Sequence, residues 1–224
     1  MSLVLHFHPL SSYCHKVLIG LYERGTPFEA RVVDFSQPQA REQFEALWPT
    51  AKIPLLVDGD RAVPETSIQL EYLDAHYPGP SMLPAEPEAR LEARLWDRVF
   101  DQYVMTPMQK IVADRLRAEG EKDPRGVANA REMLAMAYGL IDGHMAGRSW
   151  AAGEAFSLAD CAAAPALFYA GIVAPWGEEQ GALGAYFERL VARPSVARTL
   201  AEARPFFEYF PYRELMPARF LEGA

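Results

Sequence analysis

Residues 3–25 read LVLHFHPLSSYCHKVLIGLYERG, and a change of period inside this stretch decides the fold. Leu3 to His8 alternate in the manner of a strand. Val17, Leu18, Leu21 and Tyr22 then recur at helical spacing, and Gly25 supplies a stop. A strand that passes into a helix through a short turn is the opening of an α/β unit. The turn holds Ser11, Ser12, Tyr13 and Cys14, one of only two cysteines. The question is whether Cys14 does thiol chemistry, or whether a neighbouring hydroxyl serves a thiol that belongs to another molecule.

Outward from this unit the pattern continues. FEARVVDF (28–35) reads as a second strand and QAREQFEALW (39–48) as a short helix with Phe44 and Leu47 inward. IPLLVDGDRAVPE (53–65) reads as a hairpin turning at Asp58-Gly59. TSIQLEYLDAHY (66–77) is a helix with Ile68, Leu70, Tyr72 and Leu73 as its apolar positions. The texture changes at YPGPSMLPAEPE (77–88), whose prolines make a stiff linker. Beyond it the period is helical throughout, including a long helix over 89–120 that Pro107 should kink. The tail FFEYFPYRELMPARF is aromatic and is expected to pack on the body. The chain therefore divides into an α/β domain (1–78), a linker (79–88) and an all-α helical bundle (89–224).

Bulk properties narrow the function. A net charge of −8 argues against a nucleic-acid surface, which needs a basic excess. The apolar run CAAAPALFYAGIVAPW (161–176) contains two prolines and no flanking basic residues. It suits a buried helix better than a membrane span. The N-terminus lacks a basic segment followed by an apolar one, which predicts a cytoplasmic protein. Cys14 and Cys161 fit reduced, buried thiols. The five histidines show no ligand spacing, so no metal is expected.

Three local signals carry more. In AKIPLL (51–56), Pro54 opens a strand. An ordinary trans proline at a strand edge is the plain interpretation, and a cis bond would instead turn the backbone of Ile53 toward a ligand. In PETSIQLEYLD (64–74), Glu65, Thr66 and Ser67 open a helix whose first N–H groups lack intrahelical partners. Plain capping accounts for the hydroxyls, an anion site for the free amides, and a ligand amine for Glu65. In FSLADCAAAP (156–165), Ser157 and Asp160 have capping-box spacing, with Phe156 and Cys161 placed as a staple, which is structural.

In this order, KIP, ETSIQLEYL, FSLADCAAAP and ARPSVARTL (192–200) resemble the glutathione transferase superfamily across most of the chain. The resemblance implies a thioredoxin-like α/β N-terminal domain and an all-α C-terminal bundle. It implies a cis Pro54 and a glutathione site built from Lys52, Ile53, Pro54, Glu65 and Thr66. Thr66 stands where serine is usual, Ala51 where glycine is frequent, and Trp48 where asparagine is frequent. SSYC resembles the Cys-Pro-Tyr-Cys of glutaredoxins with Ser11 at the attacking thiol's place. Serine-type classes (zeta, theta, delta, tau) place their catalytic hydroxyl at the position matching Ser11, with Ser12 in reserve, and Cys14 matches a buried cysteine.

The activated thiol is then glutathione's. A free thiol near pKa 8.5 is only a few per cent thiolate at neutral pH. A hydroxyl donor and a helix N-terminus favour the anion, at about 1.4 kcal/mol per pKa unit. The implied function is transfer of an alkyl or aryl group to glutathione from a small hydrophobic electrophile lying between the Ser11 turn and the helical half. Tyr103, Met105, Met108, Phe168 and Trp176 are its expected lining. Two alternatives stand beside it: a zeta-like glutathione-dependent isomerase, and a non-catalytic relative that binds a protein partner. A homodimer is expected because Leu91, Leu95 and Val99 load one face of a helix whose adjacent face carries Trp96, Phe100 and Tyr103. By the resemblance, Asp97 or Asp101 would reach the neighbour's glutathione site. The competing account has the tail Phe206–Phe210 cover the apolar face within one chain.

Overall fold

The computed structural model describes residues 3–222. Four strands and three helices form the first half: β1 (Leu3–Phe7), α1 (Ser12–Arg24), β2 (Glu29–Val32), α2 (Pro38–Leu47), β3 (Leu55–Asp58), β4 (Arg61–Val63) and α3 (Thr66–His76). The sheet order is β2-β1-β3-β4, with β2 parallel to β1 and the β3–β4 hairpin antiparallel. This is a thioredoxin-like half, as expected. The Ser11 hydroxyl caps α1 by accepting the Cys14 N–H at 3.3 Å. Gly25, at φ 63°, ends it by donating to the carbonyls of Leu21 and Tyr22, a left-handed conformation that glycine takes without a Cβ clash.

One inward assignment fails: Phe44 is buried, but Leu47 is 43% exposed. Of the apolar positions of α3, Leu70 and Leu73 are buried and Ile68 is 54% exposed. On α3 the buried place goes to Gln69, whose amide donates to the carbonyls of Pro54 at 2.9 Å and Val63 at 3.0 Å. That inward face fixes the neighbouring loop, so a polar side chain displaces the apolar pattern.

The second half is helical: α4 (Pro87–Val99), α5 (Thr106–Arg115), α6 (Pro124–Met145), α7 (Leu158–Val173), α8 (Gly181–Val191), α9 (Pro194–Ala203) and α10 (Ala218–Leu221). The bend expected at Pro107 takes the form of a π-helical segment, Phe100–Met105, between α4 and α5. Pro107 has no N–H for the Tyr103 carbonyl, and its ring crowds that oxygen. In the widened turn, the Thr106 amide and hydroxyl both bond the Asp101 carbonyl. The central helix α7 is buried along nearly its whole length. Its capping box forms as expected, with the Asp160 carboxylate accepting the Ser157 N–H at 2.8 Å and also the Tyr186 hydroxyl at 2.6 Å.

The halves are joined through α1, which packs on α7 and α9. Arg193 and Ser195 of the ARPS motif both bind the Glu23 carboxylate of α1, Arg193 through two bonds of 2.7 Å. That motif therefore acts as an interdomain clamp. The tail also docks: Phe207 stacks on Phe168, Phe206 meets His8, and Phe210 meets Tyr169. It does not cover α4, where Leu91 and Leu95 remain 57% and 59% exposed. The covering role weighed for Phe206–Phe210 is thus contradicted, because those rings are used at the opposite turn.

Candidate functional site

Two clefts flank the N-terminus of α1. The first, about 250 Å³, brings together all five residues assigned to glutathione: Lys52, Ile53, Pro54, Glu65 and Thr66. The Ile53–Pro54 bond is cis, and Ala51 and Glu65 have positive φ values of 49° and 65°. For non-glycine residues such backbone is sterically costly and collects at ligand sites. Thr66 begins α3, so its amide and its neighbours' are free donors at the cleft's edge. Gln69 binds the Pro54 carbonyl and thereby holds the Pro54 loop against α3.

The opposite wall comes from Tyr13, Arg98, Asp101 and Gln102. Beneath it lies a buried charge network that joins the halves. Lys16, fully buried, contacts Asp97 at 2.5 Å, Asp101 at 2.8 Å and the Ser67 hydroxyl at 3.0 Å. Arg98 binds both aspartates and Ser67 from the solvent side. Burial pushes the Asp101 carboxyl above the usual range while the Lys16 ammonium pulls it back. Asp97 and Asp101 are thus tied to α1 and Arg98 of their own chain, and Asp101 also lines the first cleft.

The second cleft, about 470 Å³, is lined by Ser11, Ser12, Met108, Gln109, Tyr169 and Phe210 among others. Ser11 is half-buried, and its oxygen accepts the Cys14 N–H. Ser12 is buried and accepts from Gln109 at 3.4 Å. Neither serine lines the first cleft; from that turn Tyr13 does. Burial raises the Tyr13 pKa, so its phenol is a neutral donor there. Cys14 is fully buried, and desolvation pushes its thiol up to about 12, against hydrogen bonds from Ser11 and the His8 amide. A thiol so placed is not a nucleophile at neutral pH.

Of the five residues expected around an electrophile, the structure brings only Met108 to the second cleft. Met105 is fully buried in the core and Tyr103 is 40% exposed outside both clefts. Phe168 and Trp176 line a separate hollow with Phe187, Pro217 and Phe220. Tyr103 and Met105 lie within the π-helical segment, where 3.6-residue spacing does not give the inward face. The cleft residues missed in the sequence are Tyr13, Arg98 and Gln102 in the first cleft and Gln109, Tyr169 and Phe210 in the second. Arg98 lies next to Asp97 and three residues before Asp101, the two aspartates already suspected, which is the one signal that pointed to it. Among the described residues no group of three or more His, Cys, Asp or Glu side chains gathers as a metal site, and no helix is long and apolar enough to cross a membrane.

Residues 5–81 match the glutathione S-transferase N-terminal domain and residues 98–194 the C-terminal domain. The chain belongs to the glutathione S-transferase superfamily. FtsZ-localized protein A of Caulobacter vibrioides is 32% identical over 90% of this chain and 92% of its own length. A stringent starvation protein A homolog of Coxiella burnetii is 30% identical over 74% of this chain and 75% of its own. Among solved structures, a glutathione S-transferase of Methylobacterium radiotolerans in complex with glutathione sulfonate superposes with a TM-score of 0.77. It is 27% identical and the match covers 89% of this chain and 94% of that one.

Proposed function

We propose that the chain binds glutathione in the first cleft and activates its thiol for attack on a small hydrophobic electrophile held in the second. The observation that carries this is the convergence of Lys52, Ile53, Pro54, Glu65 and Thr66 on one cleft, across the α1 N-terminus from an apolar one. Lys52 and the free amides of α3 suit the carboxylates of the tripeptide, and Glu65 suits its ammonium. The half-exposed Ser11 hydroxyl, at the positive end of α1, is the donor proposed for the thiolate, with Ser12 secondary. Glutathione is then a co-substrate and the chemistry uses no metal. Two buried free thiols suit a reducing cytoplasm. Calorimetric titration with glutathione, followed by ultraviolet thiolate absorbance of the complex, tests the proposal; absence of binding at millimolar glutathione would refute it.

A second reading, that the fold serves as a non-catalytic platform for a protein partner, is favoured by the likeness to FtsZ-localized protein A over 90% of the chain. Bound glutathione without thiolate absorbance would support it. We further propose a homodimer through the exposed Ile68, Leu91 and Leu95 of α3 and α4, since a monomer would leave these in water.

A further inference from the structure

Both ligand-bearing segments of the first cleft are held by one side chain that does not line it. Gln69 on α3 is fully buried. Its amide nitrogen donates to the Pro54 carbonyl at 2.9 Å and the Val63 carbonyl at 3.0 Å, and its backbone N–H donates to the Glu65 carbonyl at 2.8 Å. Both side-chain partners are carbonyl oxygens, so only an NH2 group suits the place. The Gln69 Oε1 is left without a partner among the described residues. A buried amide oxygen with nothing to accept is costly, and its retention calls for a cause. The cause lies in the backbone. The β3–β4 register ends where Leu56 faces Val63, and Pro64, next in line, has no N–H with which to extend it. Beyond that point one segment runs back through Pro54, Ile53 and Lys52, and the other runs forward to Glu65 and Thr66; all five line the cleft. Ala51 and Glu65 carry positive φ values, a conformation that persists only where surrounding contacts impose it. Gln69 spans the gap between the two segments.

We propose that Gln69 is a positioning residue for the first cleft: it sets the spacing between segments 52–54 and 65–66, so that one extended zwitterionic peptide engages both at once. This deepens the assignment of that cleft to glutathione and rests on it. Lys52 on one segment and Glu65 on the other suit the carboxylate and ammonium groups of such a ligand. A ligand anchored at two points gains from the second only when the spacing of the anchors matches its own length. With the tie cut, each segment can still make its own contact, but the two no longer share one geometry. The affinity then lost belongs to the coupling between the segments and not to any contact of Gln69 with the ligand.

The test is a double-mutant cycle, read by calorimetric titration of glutathione into the full chain. Gln69→Leu should weaken binding by about tenfold, and so should Glu65→Ala in the otherwise unmodified protein. In the Gln69→Leu background, Glu65→Ala should weaken it by less than about threefold, because the contact it removes is already out of register. General damage to the fold would instead leave the two losses multiplying to about a hundredfold. Gln69→Glu is the second variant, for the case in which the leucine protein does not fold. A carboxyl buried at this place stays neutral and donates to one carbonyl only, so the tie is cut while the shape is kept. It should reproduce both the weakening and the non-additivity. Affinity within about twofold of the unmodified protein, or losses that multiply, would overturn the proposal and leave the glutathione assignment standing. No binding of glutathione to the unmodified chain at millimolar concentration would overturn both.

Discussion

Replacing Lys16 by methionine is the perturbation with the largest structural consequence. The lysine side chain is 0% exposed, and those of Asp97 and Asp101 are 2% and 6% exposed. Lys16 and Arg98 balance the two carboxylates, so the substitution leaves one negative charge in excess in a nearly dry site. Breaking a buried ion pair from one side costs about 3–5 kcal/mol. Arg98 still reaches both aspartates, although its side chain is 47% exposed, which places the expected loss near the lower end, about 3 kcal/mol. For a chain of this size that is a fall of roughly 6–12 °C in melting temperature. Differential scanning calorimetry at neutral pH is the assay. Adding Asp101→Asn should restore part of the loss, since it removes the surplus charge from a carboxyl that burial already disfavours. A fall of under about 2 °C for Lys16→Met, or no recovery in the double variant, would refute the account of a balanced network.

Glu65→Ala should weaken glutathione binding by about tenfold while leaving the pH dependence of turnover unchanged, as calorimetry and a pH–rate profile would show. Ser11→Ala should raise the apparent pKa of bound glutathione, measured by thiolate absorbance, whereas Cys14→Ser should leave it in place; the reverse result would return the chemistry to Cys14. His15 is buried against the Pro9 carbonyl, and desolvation lowers its pKa to about 4 from an unfolded value near 6.5. The folded state thus binds fewer protons, so stability is full above pH 6.5 and declines as pH falls toward 4. About 3 kcal/mol is at stake, and urea titrations across that window should show the decline. Leu95→Glu should yield a mass near the 25.1 kDa of one chain by light scattering, where the unmodified protein gives twice that.

The strand–helix alternation of the first half was legible because each strand is short and is followed within two residues by proline, aspartate or glycine. Lys52 to Thr66 were legible for the same reason: their motifs are local in sequence and carry their own loop geometry. The second cleft was not, because its wall joins the α1 turn, α5, α7 and the tail, and no spacing rule links residues 12, 109, 169 and 210. Gln69 takes a buried place on α3 because a loop carbonyl needed an amide, a tertiary demand that helical period alone does not express.

The widened turn between Val99 and Thr106 sets the phase of everything that follows it. In a regular helix each residue advances the azimuth by about 100°. The wider turns of the π-helical segment advance the chain by less than that per residue, so its six residues rotate the helix about as far as five ordinary ones would. One extra residue is thus absorbed within a single turn, and Met108, Gln109 and Val112 keep the facing that an uninterrupted helix one residue shorter would give them. The wall of the second cleft is in this way insulated from a change of length upstream, and its chemistry is altered by substitution on α5 itself.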